Sequence, residues 1–246
     1  TEPWLGGKKR NSLTIGVNSS KFSNAFDPFT GRIDRARSDT NFLKTTGFSI
    51  GLGKQIKWPD DYFSFLVTLN YTRYNLSNYP IFQGLSTGLS DNISIKLALQ
   101  RSSVFDPIFP RSGSNFLASV QLTPPYSLFN KNIATSSNPY RTPEYHKWRF
   151  NAEWYGRSGR PWGREKNRQF VLKMAAKYGF MGRYNRKLDY SPFERFQVGD
   201  AGLTNNFGLL GYDIIAHRGY PVYQSSDPTV NPDQQNATQF FTIFNK

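Results

Sequence analysis

The feature of this sequence that most restricts its fold is an alternation of apolar and polar residues with a period of two. The segment 62–72 places a large apolar residue at every second position, and similar segments start near Ile93, Asn115, Lys147 and Phe170. Successive side chains of a strand point to opposite sides, so this pattern predicts β-strands with one apolar and one polar face. No stretch repeats with the helical period, so we expect an all-β chain.

Weaker strands are predicted around residues 13–17 and 48–52, and a strand-like segment covers 238–246, which gives about eight strands in total. The breaks between them are rich in Gly, Pro, Asn and Asp, which are turn-forming residues. The segment Ser191–Gln239 resists strand assignment, with one apolar cluster at Leu209–Ala216. A connection of that length indicates a functional loop or disorder.

Two architectures fit these strands: a soluble β-sandwich, or a transmembrane β-barrel with its apolar face to lipid. Long strands, aromatic residues near strand ends and cations on the polar face favour the barrel. The barrel predicts that these side chains point outward: Phe65, Val67, Leu97, Val120, Phe150 and Leu172. It predicts that these line the lumen: Ser64, Lys96, Gln121, Arg149 and Lys173.

Composition limits the chemistry. The chain has no cysteine and two histidines, His146 and His217, so thiolate chemistry is excluded and a His-rich metal site is not expected. The formal net charge of +14 is compatible with nucleic acid or anionic lipid. However, alternation sends cations and rings such as Lys147 and Trp148 to opposite faces, whereas a groove that stacks bases needs them together. We therefore expect no nucleic-acid partner.

The acidic pairs do not form a convincing catalytic site. Asp60 and Asp61 fall in a predicted hairpin turn, where Asp is common. Glu153 lies near Lys147 and Arg149 on a polar face, which is ordinary charge balance in a lumen. We predict that the chain is not an enzyme and needs no cofactor or metal.

Three motifs point to a family. They are Glu2-Pro3-Trp4-Leu5-Gly6-Gly7, then Phe109-Pro110-Arg111-Ser112-Gly113-Ser114, then Ser191-Pro192-Phe193-Glu194-Arg195-Phe196 followed by Arg218-Gly219-Tyr220. In this order and spacing the chain resembles the β-barrel of the BamA family of outer-membrane protein insertases. The segment from Val198 to Gly202 departs from the Gly-Gly usual there.

The resemblance implies a fold and its limits. The barrel of the family has sixteen antiparallel strands, so residues 1–246 would form a partial transmembrane β-barrel of about eight middle strands. Residues 191–239 would be the long sixth extracellular loop, which folds into the lumen. The POTRA domains and the terminal strands of the family would lie outside this chain.

The resemblance also implies roles for particular residues. Arg218, Gly219 and Tyr220 would form a loop lock, in which the planar guanidinium forks onto a wall carboxylate beyond Lys246. The structural motif of the family would include Phe109, Pro110, Gly113, Pro192, Phe193 and Glu194. Pro110 fits the first position of a strand, and Gly113 fits a turn conformation that other residues resist.

The function implied is the core barrel of an outer-membrane assembly machine in a Gram-negative bacterium, which folds and inserts outer-membrane proteins without covalent catalysis. Its expected partners are outer-membrane lipid and lipopolysaccharide, unfolded outer-membrane proteins, and other subunits of a BAM-type complex. The alternatives are a related transporter, a plain porin, or a soluble or surface β-domain that binds polyanions or glycans.

Overall fold

The computed structural model describes residues 11–23, 26–27, 32–78, 87–106, 108–129, 138–162, 168–185, 190–191, 193–199, 211 and 213–216. Its elements, in chain order, are β1 Asn11–Ser23, β2 Phe26–Asp27, β3 Arg32–Ile33, α1 Arg35–Thr40, β4 Phe42–Ile56, β5 Phe63–Ser77, β6 Gly88–Ser102, β7 Gly113–Leu122, α2 Tyr126–Phe129, β8 His146–Trp162, β9 Arg168–Gly182, β10 Phe196–Gly199 and β11 Asp213–Ala216. No helix among the described residues has the length and apolar character to cross a membrane.

Seven long strands form one sheet in the order β1-β4-β5-β6-β7-β8-β9, and every neighbouring pair is antiparallel. The prediction of an all-β antiparallel chain is therefore confirmed. In the described part of the chain β1 and β9 are the edges of this sheet, so the sheet is open. The predicted strand at 238–246 lies outside the described residues.

The register confirms the predicted division of residues between two faces. Val67 pairs with Leu97, which pairs with Val120, and Lys96 pairs with Gln121 on the opposite side. The face that carries Phe65, Leu97 and Phe150 is called the apolar face below, and the face that carries Lys96, Lys147 and Arg149 is called the polar face.

The apolar face is not the core of a sandwich. Large side chains across its centre stay open, with Leu69 48% exposed, Ile95 47% and Met174 55%. Residues buried by more than nine tenths, such as Asn92, Ser94 and Lys147, lie instead on the polar face. A soluble sandwich would bury the apolar side chains, so the arrangement fits a wall that turns this face to lipid.

Several strands are longer than the alternation predicts, and β5 shows why. It continues past Thr72 to Ser77, where the pattern reverses: Tyr74 and Leu76 are apolar but lie on the polar face, and Arg73 lies on the apolar face. Tyr74 and Leu76 are each 1% exposed. The reversal follows from local burial, because another part of the chain covers the polar face here.

The connections distinguish the two ends of the sheet. Those at one end, the long-loop end, cover residues 24–41, 78–87 and 123–145, and the chain leaves β9 there at residue 183. Those at the opposite end, the short-turn end, cover 57–62, 103–112 and 163–167. Both short helices lie in connections of the long-loop end, and the Asp34 side chain caps α1 by accepting a 3.0 Å bond from the Ala36 amide.

Candidate functional site

The segment that follows β9 turns back onto the polar face. It is called the return segment here, and its described residues are 190–191, 193–199, 211 and 213–216. Phe193 is 0% exposed, and its ring stacks on Tyr74 of β5 with 4.3 Å between ring centroids and an angle of 13° between planes. The stacking and burial of these two aromatic rings attach the short segment firmly to the wall.

Glu194 follows Phe193 and points its carboxylate at the same part of the wall. Tyr74 donates its hydroxyl to Glu194 Oε1 at 3.4 Å, and Lys147 Nζ lies 3.7 Å from Oε2. Burial raises the pKa of Glu194, and the nearby Asp213 carboxylate adds to this, although Lys147 acts in the opposite direction. Its backbone has a φ of 61°, a conformation that non-glycine residues rarely adopt.

Asp213, at the start of β11, holds the second carboxylate of the site. It forms ion pairs with both Lys147 and Arg149, which are two residues apart on the polar face of β8. Burial opposes ionisation of Asp213, but the two cations outweigh it, so its pKa lies below its usual value. The side chain of Lys147 is only 5% exposed, so these partners replace the water contacts that its ammonium group loses.

Phe196 packs beside this cluster. Lys147 Nζ lies 4.8 Å from the centroid of its ring, a cation–π contact. The ring occupies space that Gly179 of β9 leaves open, since a methyl group at Gly179 would lie 2.8 Å from it. Phe196 also begins β10, which pairs in parallel with β11 and so joins the two attached stretches of the return segment.

Two further sets of contacts fix the geometry. Arg195 donates to the carbonyls of Ser191 (2.6 Å) and Tyr190 (2.8 Å), which closes the turn ahead of β10. Beneath the cluster, the Tyr145 hydroxyl accepts bonds from Asn92 (3.0 Å) and Gln121 (2.9 Å). Tyr145 is 0% exposed, and burial raises its pKa well above the ordinary value, so it stays a neutral hydrogen-bonding group.

The residues predicted from the third motif fall in different places. Phe193 and Glu194 lie at the wall, as described above. Pro192, Arg218, Gly219 and Tyr220 lie outside the described residues, so the loop lock stays a prediction. The sequence analysis did not identify Tyr74, Lys147 and Arg149 as wall partners of this segment, and it placed Asp213 in an unassigned apolar cluster.

The residues of the second motif lie far from this site, at the short-turn end. Gly113 opens β7 with a φ of 116°, and a side chain there would meet the backbone of Ser103. The expectation that Pro110 takes the first position of the strand is wrong, because β7 begins three residues later and Pro110 belongs to the preceding turn. Phe109 is 75% exposed.

The acidic residues considered for catalysis have structural partners. Asp60 lies in the β4–β5 turn and pairs with Arg101 at 2.8 Å. Glu153 does not balance Lys147 or Arg149 as expected; it pairs with Lys173 at 3.2 Å, because those two cations are taken by Asp213. No group of three or more His, Asp or Glu side chains that could hold a metal occurs among the residues that the structure describes. The contacts of Asp60 and Glu153 are ion pairs that hold neighbouring strands and turns in place.

The comparisons with known proteins agree with this fold. The family model of the Omp85 superfamily domain matches residues 1–209. The crystal structure of BamA from Haemophilus ducreyi lacking POTRA domains 1-3 is similar, with a TM-score of 0.52 and 17% sequence identity over 82% of this chain. The match covers 35% of that BamA chain, so this chain spans about a third of its length. At this identity the likeness concerns the fold alone. No curated protein matches the chain.

Proposed function

The chain belongs to the Omp85 superfamily, and from this membership we propose that it forms part of the wall of an outer-membrane barrel that folds and inserts other outer-membrane proteins. Omp85 membership and the BamA-like fold support an outer-membrane barrel of the insertase type. The finer role, as the core subunit of a BAM-type complex in a Gram-negative bacterium, belongs to the proposal.

The observation that carries the proposal is the attachment of the return segment to the polar face. Phe193, Glu194 and Asp213 bring three side chains of one segment onto strands β5 and β8. A segment fixed in this way fills space that an open pore would leave to water. It also ties together strands that are not neighbours, which would keep the wall in register when the barrel opens elsewhere.

The work of an insertase is physical rather than covalent. A strand entering lipid must have its backbone groups paired, since unpaired N–H and C=O groups are costly in hydrocarbon. An open strand edge of the assembly barrel can supply those bonds by pairing with the substrate strand. In this proposal the chain supplies the wall and the attached segment, and it needs no cofactor. Its partners are outer-membrane lipid and lipopolysaccharide, unfolded outer-membrane proteins, and other subunits of the complex.

Depletion of the full-length protein that contains this chain tests the proposal. Quantitative mass spectrometry of the outer membrane should then show a several-fold loss of other barrel proteins, with periplasmic proteins unchanged. Loss of one secreted substrate, with barrel proteins at normal levels, would instead identify a transporter. Loss of solute uptake alone would identify a porin.

Reconstitution gives a direct measurement. The purified full-length protein in vesicles should accelerate the folding of an added, unfolded barrel protein, followed by the change in its gel migration with heating. Lys147→Met should lower this rate, because it removes the cation between Glu194 and Asp213. Lys177→Met is the matched control, an exposed lysine on the polar face of β9. If the two variants accelerate folding at the same rate, attachment of the return segment is not needed for the activity.

A further inference from the structure

The hairpin of β8 and β9 extends beyond its neighbour at the short-turn end. β7 pairs with β8 only as far as the Gly113–Tyr155 pair, whereas β8 continues to Trp162 and pairs there with β9 alone among the described residues. From Arg157 to Trp162 every residue of β8 is exposed. A hairpin extension of this kind has no partner within the described part of the chain.

The extension has an aromatic and cationic surface on its apolar face. Trp162 contacts Phe170, with 4.5 Å between ring centroids, and they are 42% and 69% exposed. Arg168 is the register partner of Trp162, so it shares their face. Arg160 lies in the irregular stretch between Ser158 and Trp162. Both arginines are exposed, and neither forms an ion pair with another described residue.

The adjacent turn repeats this composition. The connection from β6 to β7 presents Phe105 at 101% exposure, Ile108 at 77% and Phe109 at 75%, followed by an exposed Arg111. Because β7 pairs with β8, this turn and the hairpin are neighbours at the same end of the sheet. Exposure of three apolar side chains in one turn to water is unfavourable, so this turn is expected to contact a non-aqueous partner.

The two features together match the boundary of a bilayer. Aromatic side chains concentrate where the hydrocarbon meets the headgroups, and the short turns of outer-membrane barrels lie on the periplasmic side. Arg presents a planar fork of donors that fits a phosphate group. Arg168 stands on the face that continues through Leu172 and Met174 toward the centre of the wall, so its counterpart belongs to the membrane.

We propose that the β8–β9 hairpin binds the headgroup phosphates of anionic phospholipids in the periplasmic leaflet. Arg160 and Arg168 contact the phosphates, and Trp162 and Phe170 lie at the edge of the hydrocarbon. The β6–β7 turn enters the same layer beside them. This inference rests on the proposed function only in that the sheet spans an outer membrane.

Lipid titration of the purified full-length protein tests the inference without an activity readout. Phosphatidylglycerol or phosphatidylcholine is added to the delipidated protein in neutral detergent, and bound lipid is counted by native mass spectrometry. The wild type should retain phosphatidylglycerol in preference. Removal of one cation near a charged lipid surface lowers the affinity about fivefold. Arg168→Gln should therefore lower the preference for phosphatidylglycerol about fivefold. The double variant Arg160→Gln/Arg168→Gln should lower this preference further.

Arg157→Gln is the matched control. Arg157 is an exposed arginine in the same hairpin, but it pairs with Val171 and therefore lies on the polar face. It should keep wild-type lipid preference, and heat-dependent gel migration verifies that each variant is folded.

The possible results separate clearly. Equal retention of both lipids by the wild type, or equal loss in Arg157→Gln and Arg168→Gln, would overturn the inference. So would an unchanged lipid preference in Arg168→Gln together with loss of a co-purifying acidic protein, which would assign the surface to a protein partner. Folding of barrel substrates in phosphatidylcholine vesicles is independent of this site, so failure there would count against the proposed function alone.

Discussion

The two faces of the sheet are made by the same strands, yet they are stabilised in different ways. The apolar face keeps side chains such as Leu69 and Ile95 about half exposed, and no described part of the chain covers them. The polar face has partners within the chain: Phe193, Glu194 and Asp213 pair with Tyr74, Lys147 and Arg149. The apolar face is therefore left to contact the membrane, whereas the polar face is partly covered by other residues of the chain.

This difference teaches that a polar face of strands is not exposed to water along its whole length. Near the long-loop end the polar face buries Tyr74 and Leu76 as deeply as a soluble core would. Toward the short-turn end the same face is open, and Lys173 and Lys177 are exposed. Buried residues of the polar face, such as Tyr74 and Asn92, contact the return segment or the connection 123–145.

Lys147→Met should cause the largest loss of attachment. Removing one partner of a buried pair costs about 3–5 kcal/mol, and we expect the lower end because Arg149 remains on Asp213. Amide hydrogen exchange in β10 and β11 should then become about a hundredfold faster. Exchange in β5 and β6 should stay the same, and an unchanged β10 would mean that the ion pairs do not hold the segment.

Leu69→Lys tests the apolar face at its centre, because Leu69 pairs with Ile95 near the middle of β5 and β6. A lysine on the lipid face near the bilayer midplane costs about 2–4 kcal/mol. Asn70→Lys, on the polar face of the same strand, is the matched control. Urea titrations of the full-length protein in vesicles measure both, and equal losses of stability would refute the assignment of the two faces.

Gly179→Val tests the space under the return segment. Its side chain would collide with the Phe196 ring, and overpacking of this kind costs about 1–3 kcal/mol. Exchange in β10 should rise, whereas Ala175→Val, on the same face of β9 but away from Phe196, should leave it unchanged. A silent Gly179→Val would show that Phe196 has room to move.

Sequence reasoning identified the strands, the two faces and the family, because each of these repeats or is ordered along the chain. It missed the return-segment contacts, because Tyr74, Lys147 and Asp213 are far apart in sequence and each looks ordinary alone. The reversal at Arg73–Leu76 was the available signal, because an apolar residue on a polar face indicates that another part of the chain packs against it. Pro110 was misplaced because a proline near a strand start fits the turn before it equally well.

The attachment should also depend on pH in a way that Glu194→Gln removes. Burial raises the pKa of Glu194 above its ordinary 4.5 in the attached state, so attachment is strongest below pH 4.5 and weakens as pH rises through the raised value. Asp213 acts in the opposite sense, since its pKa is lowered from 3.8 and its contribution is lost as pH falls through the lowered value. Exchange in β10, corrected for intrinsic rates, should therefore be slowest near pH 4. Glu194→Gln should abolish the weakening above pH 4.5 and attach at neutral pH at least as well as the wild type.

The smallest effect is expected from Glu153→Gln, which breaks the other ion pair of the polar face. Glu153 and Lys173 lie 3.2 Å apart, but the lysine side chain is 51% exposed and no described part of the return segment covers the pair. Exposed pairs gain little, because water and salt screen the attraction and both side chains lose freedom. The unfolding midpoint and the exchange of β10 should match the wild type within replicate scatter, at low and at high salt. A loss comparable with that of Lys147→Met would mean that coverage by the return segment does not set the difference between the two ion pairs, and the contrast between covered and open parts of the polar face would have to be abandoned.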